Sequence, residues 1–360
     1  MNKIHNHLGD PKPLTIKDIV WEVQSEQGYR RKRNLSVPTV QGSVDDKAAR
    51  IWNCYFKLLF HRFDIMGRLV KEKSALNKKA NDLYQLLFQK DGSVNRDGLL
   101  DILIKRPDQN KSIITKANIK SNVSIVNVFD YDTLTGKTYQ KEFTTLVQML
   151  SVNVCPYCGR NFTTTIQKSA EGYARTCQID HFFPQSTYPW LAVSLLNLIP
   201  SCGFCNNRKK DREPDILYPY KEEIGEIYRF RTHPIKGMSY LVGAQNSEED
   251  FQVSLEPTLP LKADEDLSDY EILIENEISL FKINELYSSH NGYVANIFRQ
   301  RYVFGIPYID SLVSSFGNLF HSREDVRAML YFKRIDNESI GENPLDRLTR
   351  DIDHEIDLLE

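Results

Sequence analysis

Two matched cysteine pairs, Cys155-x-x-Cys158 and Cys202-x-x-Cys205, bracket the part of this chain richest in reactive side chains. A two-residue gap lets both thiolates of a pair reach one ion. Two such knuckles supply the four soft ligands of a closed tetrahedral Zn²⁺ site. Between and just after them stand Asp180, His181, Asn197 and Asn206, followed by Arg208, Lys209 and Lys210. Asp180 offers a hard anionic oxygen suited to Mg²⁺, and Asn206 a neutral carbonyl oxygen. His181 is the side chain best suited to accept a proton near neutral pH.

This set meets the three demands of phosphodiester hydrolysis: activating water, neutralising the phosphate and stabilising the leaving alkoxide. His181 answers the first, and a metal on Asp180 and Asn206 the other two. Asn206 directly follows Cys205, so a structural zinc would pre-organise a ligand of the catalytic ion. Arg208, Lys209 and Lys210 are expected on the first turns of a helix, whose N-terminus would join them in holding phosphate. Taken singly, each group has a plainer use. A lone Asp-His pair is usually surface or core chemistry, and a lone Asn usually caps a turn.

The combined pattern is far more specific. Cys155-x-x-Cys158, Asp180-His181-x-x-Pro184, Asn197-Leu198-x-Pro200 and Cys202-x-x-Cys205-Asn206-x-x-Lys209 together resemble the HNH endonucleases. These are the ββα-metal or His-Me finger nucleases, here in their zinc-stapled treble-clef form. The resemblance covers 57 of the 360 residues. It implies that Asp180 is a metal ligand, that His181 is the general base, and that Asn197 braces the loop and the base. Asn206 stands where the family often has His, as the second metal ligand, and Lys209 matches the family's lysine. It further implies structural Zn²⁺, catalytic Mg²⁺ or Mn²⁺, and products with 5′-phosphate and 3′-hydroxyl ends. DNA is favoured over RNA as substrate.

The Cys-Pro-Tyr-Cys and Leu-Ile-Pro-Ser-Cys forms and Leu217-Tyr218-Pro219-Tyr220 also resemble nucleases paired with ABC-type ATPases in bacterial anti-phage systems, the Septu-like subunits. That resemblance implies an ATPase partner. Two other readings compete. A treble-clef module that binds nucleic acid without cutting keeps the cysteines and the basic helix, but has no use for Asp180, His181 and Asn206 together. An assembly subunit would keep its nuclease silent until a partner released it.

The elements that must position these groups are less sharply written. A chain of 360 residues, 41% hydrophobic and 26% charged, fits a soluble globular protein of two to three domains. No apolar run approaches the ~20 residues of a membrane span, and the N-terminus lacks a signal-peptide core, so the cytoplasm is the expected compartment. Cys54 and Cys177 stand alone, Cys54 as an inert thiol and Cys177 packed beside a strand. Residues 1–90 carry 17 Lys/Arg against 9 Asp/Glu, whereas residues 221–360 sum to −13. A basic front and an acidic back would orient the molecule near a polyanion.

Residues 1–44 read as irregular around Pro11, Pro13, Pro38 and Gly42, with a basic cluster at Tyr29–Arg33. Residues 45–90 read as helix, capped by Asp45 or Asp46, on the stripe Ile51, Tyr55, Leu59, Phe63, Met66 and Val70. Ser124–Phe129 and Lys137–Phe143 alternate about a Thr-Gly turn, which predicts a β-hairpin. A short helix is expected over Glu142–Leu150. Strands follow at Glu226–Arg231 and Phe251–Leu255, then helices from Leu267, and a final acidic segment able to pack or to dock a partner. The expected fold is α+β. A mainly helical basic region (1–145) ends in the hairpin, an HNH module (146–215) carries the site, and a mixed acidic region (216–360) follows.

Overall fold

The computed structural model describes residues 14, 16–27, 32–40, 46–79, 81–110, 123–169, 172–258 and 267–359. Contacts divide the chain into two compact units. The first gathers residues 153–162 with 215–360, and the second the rest of the described chain up to Pro214. Among the described residues no helix is long and apolar enough to cross a membrane.

The second unit opens with an antiparallel hairpin, β1 (Ile19–Gln27) and β2 (Lys32–Val40), registered Ile19↔Val40 to Gln27↔Lys32. The expectation of irregular chain here is therefore wrong. Pro38 argued against a strand, but a two-stranded ribbon has outer edges that need no donor. Tyr29, Arg30, Arg31, Pro11, Pro13, Gly42 and Asp45 lie outside the described residues, and Lys32 and Arg33 begin β2.

The expected helical stretch is present but broken. α1 (Asp46–Phe56) runs into a π-helical turn at Lys57–Arg62, followed by α2 (Ile65–Lys79) and α3 (Asn81–Leu87). Ile51, Tyr55, Leu59 and Phe63 are buried, as the stripe requires, while Val70 is exposed. α4 (Arg96–Ile104) follows, with the Asn95 side chain accepting from the Gly98 amide.

The predicted β-hairpin over 124–143 is overturned. The chain forms α5 (Val123–Val128), α6 (Tyr131–Thr135) and α7 (Gln140–Leu150) instead. Ile125, Val128 and Phe129 are buried at i, i+3 and i+4, a helical face that outweighs the β preference of its branched residues. The supposed turn is a capped helix. The Asp130 carboxylate accepts from the Thr133 amide, and Gly136 ends the segment. β3 (Thr165–Ser169) pairs with β4 (Gly172–Arg175). The segment that concerns chemistry follows: β5 (Gln178–His181), β6 (Leu198–Ser201) and α8 (Gly203–Lys209), with β5 and β6 antiparallel.

In the first unit, β7 (Tyr228–Pro234) pairs with β8 (Phe251–Pro257), close to the strands expected there. Helices α9 (Asp269–Phe281), α10 (Ile283–Ser288), α11 (Asn291–Val303), α12 (Ile306–Ser315) and α13 (Arg323–Tyr331) follow. Ser268 and Glu271 form a reciprocal capping box on α9, and Pro307 sits in the first turn of α12, where its missing N–H costs nothing. The acidic end of the chain packs as α14 (Asp346–Asp357). Its carboxylates face inward. Asp353 and Asp357 bind the guanidinium groups of Arg301 and Arg327 at 2.7–3.0 Å, and Asp351 accepts from the Phe230 amide at 3.0 Å.

Candidate active site and cysteine cluster

Asp180 and His181 are the last two residues of β5, and consecutive strand residues point to opposite faces. Asp180 turns toward α8, where Lys209 Nζ lies 3.1 Å from Oδ2 and 3.3 Å from Oδ1. Gln178, two residues earlier on the same face, accepts at 2.7 Å through Oε1 from the Asn206 side-chain amide. The period of two on the strand thus matches the i, i+3 spacing of Asn206 and Lys209 on the helix.

His181 faces the other way. Its Nε2 lies 2.9 Å from the Ala192 carbonyl oxygen, and the Tyr131 ring meets the imidazole edge-to-face at 4.5 Å. A carbonyl oxygen only accepts, so Nε2 carries the proton and Nδ1 is the basic nitrogen. Burial pushes the His181 pKa below its ordinary value, against the Ala192 carbonyl and Asp180, which raise it. The neutral imidazole is thereby favoured. Tyr131 is itself pushed up to about 12 by burial, with Arg175 opposing.

Asn197, fully buried, ties the intervening loop together. Its Oδ1 accepts from the Phe183 amide at 2.8 Å, and its Nδ2 donates to the carbonyls of Phe183 and Leu191, each at 3.1 Å. The Asn197 carbonyl also accepts from the Phe182 amide. Trp190 is buried within this loop, in the core as expected rather than on a binding surface.

The basic run departs from expectation. α8 starts at Gly203, so Arg208 and Lys209 fall in its last turn, where the negative end of the helix favours cations, and not at its N-terminus. Lys209 is 1% exposed and bonded to Asp180 and to the His181 carbonyl at 2.8 Å, so its ammonium does not present itself to solvent. Burial lowers its pKa, and Asp180 raises it. Arg208 is half-buried over the Phe204 ring at 5.9 Å, and Lys210 is exposed.

Cys155, Cys158, Cys202 and Cys205 are all buried, with ligand atoms within 4.8 Å of one another. A tetrahedral ion with Zn–S near 2.3 Å needs sulfurs about 3.8 Å apart, so this donor set could hold a metal. The first knuckle is built by the Gly159 amide donating to the Cys155 carbonyl at 2.8 Å, with Gly159 at φ +64. The Tyr287 hydroxyl donates to the Cys158 carbonyl at 2.7 Å. Cys177 is buried outside this cluster, its pKa raised by burial. Cys54 is half-buried and likewise raised.

Gln178, Tyr131 and the Ala192 carbonyl were not singled out in the sequence. Gln178 had a signal, its even spacing from Asp180. Tyr131 had none, because it lies fifty residues away on a segment whose periodicity points to a strand.

An antiparallel strand pair leading into a helix, Asp-His at the end of its first strand and four clustered cysteines are the arrangement expected of an HNH module. Residues 155–212 match the family described as HNH endonuclease, so the chain carries a domain of that family. It is 31% identical over 140 residues to Septu protein PtuB of Bacillus thuringiensis, covering 38% of this chain and 49% of that one. It is 33% identical over 72 residues to Protein ea31 of Escherichia phage lambda, covering 18% of this chain and 20% of the relative. The match thus spans about half the length of the first relative and a fifth of the second. No solved structure matches.

Proposed function

We propose that this protein is a metal-dependent endonuclease in which His181 is the general base and Asp180 and Asn206 hold one Mg²⁺ or Mn²⁺. The observation that carries the reading is the pinned imidazole. With Nε2–H fixed on the Ala192 carbonyl and Tyr131 against the ring, Nδ1 is left to take a proton from water. Asn197 acts through the loop, holding the Leu191–Ala192 turn that orients His181.

The donor set suits a hard, hydrated cation. Mg²⁺ commonly takes only one or two carboxylates from the protein and keeps several waters. The Asn206 side-chain nitrogen is engaged by Gln178, so its carbonyl oxygen is the atom available to a metal. A divalent ion held there supplies charge neutralisation at the phosphate and stabilisation of the leaving 3′ oxygen. The products would be 5′-phosphate and 3′-hydroxyl ends. Arg208 in the last turn of α8 and Lys210 just beyond it are the side chains proposed to contact phosphate. Zn²⁺ on the four cysteines is structural. The likeness to the Septu protein PtuB supports a role in anti-phage defence. An ATPase partner and DNA as the favoured substrate complete the proposed reading.

The test is cleavage of plasmid, single-stranded DNA and RNA with Mg²⁺ and with chelator. If the purified chain is silent alone, the assay is repeated after co-expression with a neighbouring ATPase. His181→Ala should lose at least about 10²-fold in rate. Full metal-dependent cleavage by that variant would sink the proposal.

A further inference from the structure

Resting on the metal site proposed above, we propose that Lys209 is an internal counter-cation that competes with the divalent ion for Asp180. It thereby couples metal loading to the arrival of phosphate. The lysine ammonium donates to Asp180 Oδ1 at 3.3 Å and to the His181 carbonyl at 2.8 Å, and Asp180 Oδ2 lies 3.1 Å away in the same ion pair. Lys209 and Asp180 are 1% and 2% exposed, so water screens this pair little. The Phe182 ring, 5.6 Å from Nζ, forms part of the enclosure.

A carboxylate neutralised in this way is a poor ligand for a second cation. An ion arriving at Asp180 either displaces the ammonium from the carboxylate it is bonded to, or sits a few ångströms from a like charge. Each outcome weakens metal binding. A phosphodiester reverses the balance, because it adds an anionic ligand for the metal and a second acceptor for the ammonium. The bare site would hold its metal loosely, and the substrate-bound site tightly.

The experiment is Mn²⁺ titration of the full zinc-loaded chain at pH 8, with free Mn²⁺ read by electron paramagnetic resonance. Parent, Lys209→Met, Lys209→Gln, Lys209→Arg and Asp180→Asn proteins are compared. Circular dichroism and zinc content establish which variants fold, and the Gln variant serves if Met does not. The neutral variants should bind Mn²⁺ at least tenfold more tightly than the parent, whereas Arg should stay within about threefold of it. A lysine that only supports the fold would never yield tighter binding when removed. Equal or weaker Mn²⁺ binding in the neutral variants, with Asp180→Asn abolishing it, overturns the competition and leaves the metal site standing. Undiminished binding in Asp180→Asn overturns both.

Discussion

At the scale of single residues, the loop that orients His181 depends on Asn197, whose side-chain oxygen and nitrogen are both engaged. Asn197 makes three hydrogen bonds from a fully buried amide, to Phe183 twice and to Leu191 once. Truncating it strands the Phe183 amide and carbonyl, each costing on the order of 1–3 kcal/mol, and leaves the Leu191 carbonyl with the Ser194 amide. Asn197→Ala should therefore lose about 3 kcal/mol or more of stability in thermal unfolding. Cleavage should fall further than the lost fold explains, because the loop carries the carbonyl that pins His181. Asp at this position keeps the acceptor for Phe183 but sets a carboxylate against two carbonyl oxygens. It should rescue neither property. The residue types were legible in the sequence, since Asp180, His181, Asn197 and Asn206 were named from the pattern. Lys209 was named from the pattern as a phosphate contact, and its burial against Asp180 was not legible, because sequence shows a positive charge and not whether it meets solvent or a buried carboxylate.

At the scale of elements, the first cysteine pair sits on a short turn that buries Tyr157 against Phe281, and the second opens the seven-residue α8. The left-handed Gly159 and the amide donated to Cys155 shape the first one. A bound zinc would supply the cohesion, as metal ligation does in small zinc-folded units at about 10 kcal/mol or more. Cys158→Ala should lower bound zinc from one ion per chain to well below half. It should also lower the melting midpoint by at least about 10 °C. Zinc release to a chromogenic chelator and a thermal scan check both. Helices with strong apolar stripes, such as α1 and α9, were legible in the sequence. So was α7, expected over Glu142–Leu150. The β1–β2 hairpin and the α5 and α6 helices were not, because short segments rich in branched residues are assigned by what they pack against.

At the scale of the whole molecule, the acidic C-terminal region is in part an internal charge store and not a solvated tail. Asp353 and Asp357 are bonded to Arg301 and Arg327, and Asp351 to the backbone of β7. Asp346, like Glu355 on the same helix, is raised by burial. Burial raises its pKa from 3.8 to about 6, against the Asn343 amide and the Lys333 ammonium at 3.7 Å, while Glu342 adds to the rise. A carboxyl raised in the folded state favours folding when protonated. Its contribution is fully present below about pH 4 and is lost as pH rises through about 6. Asp346→Asn should remove that loss. Between pH 4 and 8 the parent should lose on the order of 1–3 kcal/mol more stability than the variant. Denaturant unfolding at both pH values measures the difference.

The sequence by itself determined the donor atoms and their order: four thiolates in two pairs, an Asp-His step, two asparagines and a basic run. Those follow from covalent spacing, which limits what a turn or a strand end can bring together. Only the tertiary structure decided which faces meet. It set Tyr131 against His181 from fifty residues away, put Lys209 on Asp180, and turned the acidic tail inward onto arginines. Each of these depends on long-range burial, where a charge is stable only beside its partner, and no local pattern encodes that partner's position.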